Sequence, residues 1–152
     1  RTCIATEEGL ACTNQMVQTV KDGKCKPFLY RSALNYYAAY MASNFHSSTS
    51  LEILKGTLIL HNLDGIRFKS QKRVNRHKLS GGLYKDQVYL EGAVKVLQRR
   101  KTLNFKALLC GKISLFDYDR EEIYSILNYE NQLLPPFMED MEEYIRCLDA
   151  IA

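Results

Sequence analysis

The chain has 152 residues, of which 46% are apolar and 25% charged, and it carries a formal net charge of +4. This is the length of one domain with a buried core and the composition of an ordinary soluble globular protein. No apolar run approaches the roughly 18 residues that span a bilayer, which excludes a transmembrane helix.

Nothing at the N-terminus has the basic stretch and apolar core of a signal peptide. The chain opens on Arg1 rather than Met, so upstream sequence is expected to be missing. The five cysteines are odd in number, widely scattered and without a CxxC pair, which reads as reduced thiols in a cytosolic protein. The net charge hides two ends of opposite sign. Between Ile66 and Leu79 stand Arg67, Lys69, Lys72, Arg73, Arg76 and Lys78 with no acid among them. From Asp117 to Asp149 ten acids are set against only Arg120 and Arg146. Of the two ends, the basic one suggests an acidic partner.

Periodicity is helical nearly throughout, so the fold class is mainly α. Thr6 is expected to cap a first helix running to about Val20, ended by the Lys21-Asp22-Gly23 turn. Pro27 suits the first position of a second helix, Phe28 to about Asn44. Its nearly all-round apolar surface predicts burial, with Tyr36, Tyr37 and Tyr40 in the core. Ser47 to Ser50 then caps a third helix, Leu51 to about Leu60. An irregular basic segment follows from about Asn62 to Tyr84, and an ordered loop this long usually serves a function. A fourth helix is predicted from about Lys85 to Arg100, with Asp86 as its candidate cap. The remainder reads as two or three further helices. The last starts at Pro136 and carries Phe137, Met141, Ile145 and Leu148 at helical spacing. There is no convincing strand pair, repeat or low-complexity tract, and residues 1–152 read as a single helical (sub)domain.

The most informative residues are Thr6 to Ala11, TEEGLA. A carboxylate in the first turn of a helix is held ionised by free N–H groups and the helix dipole. An ionised, well-held carboxylate is a good ligand for zinc. Gly9 costs about 1 kcal/mol relative to Ala inside a helix, and close approach of another element is the natural reason for it. A simple capped helix start accounts for the same residues, and from these six alone both readings stay open.

Four blocks extend the comparison. They are TEEGLA (Thr6–Ala11), PFLYRSALNYY (Pro27–Tyr37), YKDQVYLEG (Tyr84–Gly92) and PPFMEDMEEYIRCLDAI (Pro135–Ile151), in that order. Together they resemble the tyrosine carboxypeptidase family. That family includes microtubule-associated enzymes removing the C-terminal tyrosine of α-tubulin, and bacterial proteins known by a QEGLA motif. The resemblance implies the helical C-terminal half of a gluzincin-like metallopeptidase domain, cut upstream. Glu8 matches the family glutamate before glycine and would be the third zinc ligand. Glu7 is not its equivalent, since the bacterial motif has Gln there. Zinc would polarise a water and the scissile carbonyl, with the glutamate of an HExxH-type helix as general base. No such helix is in this sequence: His46, His61 and His77 are not paired at i, i+4. The intact protein is therefore expected to be a zinc metallocarboxypeptidase and this chain alone to be inactive. A domain cut there would expose apolar surface on its first two helices and aggregate or dimerise.

A carboxypeptidase must grip a free carboxylate, usually with Arg or Lys. Lys72, Arg73 and Arg76 lie in the region of the family's basic loop. The family's arginine-lysine-arginine-glycine pattern survives only as Lys69, Lys72 and Arg73 with no Gly after them, which leaves the gripping residue open. Tyr84, Lys85 and Tyr89 stand where this loop enters the fourth helix, and Tyr89 either lines the pocket or packs. Arg31 shares a face with Asn35 and is either a structural ion-pair member or a cleft residue. The partner implied is an acidic protein tail such as that of tubulin, attracted in a salt-dependent way. The location implied is cytoplasmic and, for that substrate, cytoskeletal. The alternative is a non-catalytic helical module that docks acidic partners through the same loop. Nucleic acid is disfavoured, because no reader motif is present and the acidic last third repels phosphate.

Overall fold

A computed structural model describes residues 2–21, 32–33, 35–37, 40 and 87–152. Two compact units divide the chain, residues 1–29 with 88–152 and residues 30–87. In the second unit Ser32, Ala33, Asn35, Tyr36, Tyr37 and Tyr40 are helical, as the sequence predicts. Their predicted burial does not hold: Tyr37 and Tyr40 are 37% and 50% exposed, and Tyr36 is half-buried. The phenol hydroxyl keeps its water at little cost, so counting tyrosine as apolar overstates how deeply it is buried. The third helix and the basic segment lie outside the described residues.

The described part of the first unit is helical and contains no strand. Its elements are α1 (Thr2–Lys21), α2 (Gln87–Arg99), α3 (Phe105–Leu109), α4 (Leu115–Tyr118), α5 (Glu121–Tyr124), a 3-10 turn at Pro136–Met138, and α6 (Met141–Ile151). Helix α1 runs to Lys21, one residue past the predicted Val20, but begins before Thr6, which is therefore interior rather than a cap. The acids Glu7 and Glu8 accordingly lie beyond the first turn, which holds no acid. Thr6 finds its partner elsewhere. It is buried, and its Oγ1 accepts the Leu115 N–H at 3.0 Å, closing an otherwise orphaned donor at the start of α4.

Local chemistry sets the remaining boundaries. Ser114 and Asp117 form a reciprocal capping box at α4, and Asn104 caps α3 through the Ala107 N–H. Pro136 opens the 3-10 turn, and Asp140 then caps α6 through the Glu143 N–H, so the last helix starts at Met141 rather than Pro136. Helix α2 buries Val88, Gly92, Ala93, Val96 and Leu97, one stripe at helical spacing.

The core gathers Leu10 and Val17 of α1, Val96 and Leu97 of α2, Phe105 and Leu108 of α3, and Tyr144, Cys147 and Leu148 of α6. Phe105 meets Tyr144 edge to face, with centroids 5.0 Å apart. Truncating such a ring to Ala typically costs about 3–5 kcal/mol. Two polar contacts pin α1 to the C-terminal elements. The Tyr144 hydroxyl donates to Asn14 Oδ1 at 2.6 Å, and Lys21 Nζ donates to the Phe137 carbonyl at 2.9 Å.

Candidate functional site

The site is built around a crossing of α1 and α2 at two glycines. A Cβ placed on Gly9 would overlap the Gly92 carbonyl carbon and the Ala93 nitrogen, and would come within 2.5 Å of Gly92 Cα. A Cβ placed on Gly92 would overlap the Ala5 carbonyl oxygen and lie 2.9 Å from Gly9 Cα. The two backbones therefore touch with no side chain between them. The close approach expected at Gly9 is real, and its partner is another glycine.

Glu8 precedes Gly9 and stands half-buried on a flank of α1 shared with Ile4, Ala11 and Gln15, all exposed. Ile4 is 48% exposed, whereas Leu10, Thr13 and Val17 on the opposite side are buried. Among the described residues, no hydrogen bond or ion pair engages Glu8. Glu7 differs: its Oε2 lies 3.7 Å from Lys112 Nζ in an exposed pair, turned toward the connection before α4.

Zinc typically takes three protein ligands at a catalytic site. Among the described residues no three His, Cys, Asp or Glu side chains converge. His46, His61 and His77 lie outside the described residues. The described part thus holds no complete centre, and Glu8 stands in it as the residue that the family resemblance matches to a single ligand role. A hard carboxylate with no competing cation suits that single role.

A cleft of about 380 Å³ opens on another side of the same crossing. Ala5, Val88, Gly92 and Leu115 line it, Phe116 is 69% exposed at its edge, and Glu91, Lys95, Arg99 and Asp119 supply charge. Arg99 is held in place there. Its Nη1 donates to Asp119 Oδ2 at 2.8 Å and to the Leu115 carbonyl at 3.3 Å, and its guanidinium lies 5.4 Å from the Tyr118 ring centroid. Neither Glu8 nor Tyr89 lines this cleft. Sequence reasoning missed both the cleft and the role of Gly92; the glycine of YKDQVYLEG, lodged mid-helix, was the available signal.

The other predicted site residues divide. Tyr89 lies in the first turn of α2 and is half-buried. Arg31, Lys72, Arg73, Arg76, Tyr84 and Lys85 lie outside the described residues.

Taken by itself, the first unit is a helical scaffold in which Glu8 and Glu91 each precede a glycine of the crossing. Comparison with known proteins gives it a family. The chain is 34% identical over 152 residues to microtubule-associated tyrosine carboxypeptidase 1 of Mus musculus, covering 96% of this chain and 30% of that protein. It is 32% identical over 151 residues to the protein of the same name from Homo sapiens, with the same coverage. The chain belongs to the tyrosine carboxypeptidase family. It spans about 30% of the length of the curated relatives it matches. No protein-family model matches it.

Proposed function

We propose that this chain is the helical part of a gluzincin-like metallopeptidase domain, in a zinc carboxypeptidase that removes tyrosine or a similar residue from the C-terminus of a protein tail. One observation carries the reading: Glu8-Gly9 and Glu91-Gly92, from separate blocks of the family resemblance, meet backbone to backbone and leave Glu8 unengaged among the described residues. The names of the matched relatives support the activity, and the tubulin tail is the substrate their microtubule association favours.

In this proposal Glu8 would be a carboxylate ligand of the metal. Zinc, when bound, polarises the scissile carbonyl and a water. The general base and the imidazole ligands belong to an HExxH-type helix that the 152 residues do not contain, so this chain is inactive by itself. Lys72, Arg73 and Arg76 draw in the acidic tail and grip its terminal carboxylate, while Arg31, Tyr84, Lys85 and Tyr89 line the approach. The work takes place in the cytoplasm, on the microtubule surface.

The test is the zinc content of the intact protein, wild type against Glu8→Ala. About one zinc per chain in the wild type, with affinity lowered at least roughly tenfold in the variant, is expected. A wild type that binds no zinc overturns the reading and leaves a metal-free helical module with a basic loop.

A further inference from the structure

We infer that Gly92 is a positioning residue for Glu8. By letting the backbone of α2 rest on α1 at Gly9, it fixes how far the neighbouring carboxylate stands from the helices around it. This rests on the reading of Glu8 as a metal ligand and adds a residue from a different helix, 84 positions away in the chain.

The geometry supplies the reason. A methyl on Gly92 would meet the Ala5 carbonyl group, with its carbon at 2.7 Å, and Gly9 Cα at 2.9 Å. These are backbone atoms of a helix and cannot rotate aside, so the two helices would have to part. By contrast, a Cβ on Gly111 meets nothing within 4 Å. Helix axes normally pack about 8–10 Å apart, according to the side chains between them, and a single methyl at such a contact moves them by roughly 1 Å.

The displacement cannot spread evenly along α1. Its C-terminal half is tied down through Asn14 to Tyr144 and through Lys21 to the Phe137 carbonyl. Val17 is fully buried in the core below. The turn from Ala5 to Gly9, which carries Glu8, meets the added methyl directly, so the displacement falls first on it and on the Thr6 bond to the Leu115 N–H that tethers it. Metal–ligand distances tolerate only about 0.2 Å. A shift several times larger takes the carboxylate out of range while leaving the fold assembled.

Zinc affinity and thermal melting of the intact protein separate this from simple destabilisation. Affinity is read by chelator competition on metal-stripped protein for wild type, Gly92→Ala, Leu97→Ala and Glu8→Ala. Leu97→Ala removes buried volume from the same helix without touching the crossing. Gly92→Ala is expected to melt cooperatively and to bind zinc about 10–100-fold more weakly, the range seen when a ligand's supporting residues change. Leu97→Ala is expected to melt lower with unchanged affinity. Wild-type affinity in Gly92→Ala overturns the inference, and so does an equal loss in Leu97→Ala. Should Gly92→Ala not fold, Gly9→Ala loads the same crossing from α1, where its Cβ would meet the Gly92 carbonyl carbon, and unchanged affinity there overturns it too. Failure of the underlying reading looks different: Glu8→Ala itself then binds zinc as wild type does.

Discussion

At the scale of single residues, Thr6 shows how one local pattern serves two structures. Thr-Glu-Glu reads as a capped helix start, because Thr before acids is what a start looks like. In the fold the same hydroxyl lies inside α1 and caps a different helix, 109 residues away. Thr6→Val keeps the shape and removes the acceptor, leaving the Leu115 N–H without it. Since Thr6 and Leu115 line an open cleft, water can partly replace the bond. A loss of about 1 kcal/mol in urea unfolding is expected for Thr6→Val, with Thr6→Ser near wild type. Equal losses in both would assign the cost to packing instead.

Tyr144 is a second residue whose surroundings define it. It is buried, its hydroxyl is committed to Asn14, and burial pushes its phenol well above the usual range.

At the scale of elements, the ends of α2 and α6 are coupled by charge. Asp149 lies in the last turn of α6, where the helix dipole disfavours a carboxylate. Arg100 Nε donates to its Oδ1 at 2.5 Å, and with Lys101 nearby holds the carboxyl below the usual range. A depressed folded value means the pair contributes above the unfolded carboxylate pKa, and that contribution is lost as pH falls through the folded one. Asp149→Asn should therefore melt below wild type at pH 7. The gap should begin to close as pH falls below about 4, the unfolded carboxylate value, and go on closing as pH falls through the folded one. A gap constant across that range would mean the charge is irrelevant.

The caps at α3, α4 and α6 were legible in principle, since Asn104, Ser114 and Asp140 stand at the right offsets from the groups they bind. Pro136 nevertheless drew the predicted start of the last helix five residues early, because proline suits a 3-10 turn as well as a first helical position.

At the scale of the whole molecule, the charge map and the family reading bear on one another. Ten acids occupy Asp117 to Asp149. Several of them are spent within the first unit, Asp119 on Arg99, Asp149 on Arg100 and Glu143 on Arg146. The six bases between Ile66 and Leu79 have no acid in their own stretch of sequence. Reversing Lys72, Arg73 and Arg76 to Glu in the intact protein should weaken binding of an acidic peptide ending in tyrosine by about tenfold or more at low salt. It should also flatten the salt dependence, read by titration at several ionic strengths. A triple variant with wild-type affinity and salt slope would remove the loop from the proposed recognition.

The sequence by itself determined the helical class, the end of α1 to within a residue, most of the span of α2 and the family. These follow from apolar spacing, turn residues and motif order, all of which are local. It also flagged Gly9 as a contact point, since glycine inside a helix is costly wherever nothing approaches. What met Gly9, and where Thr6 spends its hydroxyl, only the tertiary structure decided. Those partners are 83 and 109 residues distant in the chain, and no local pattern encodes a neighbour brought in by packing.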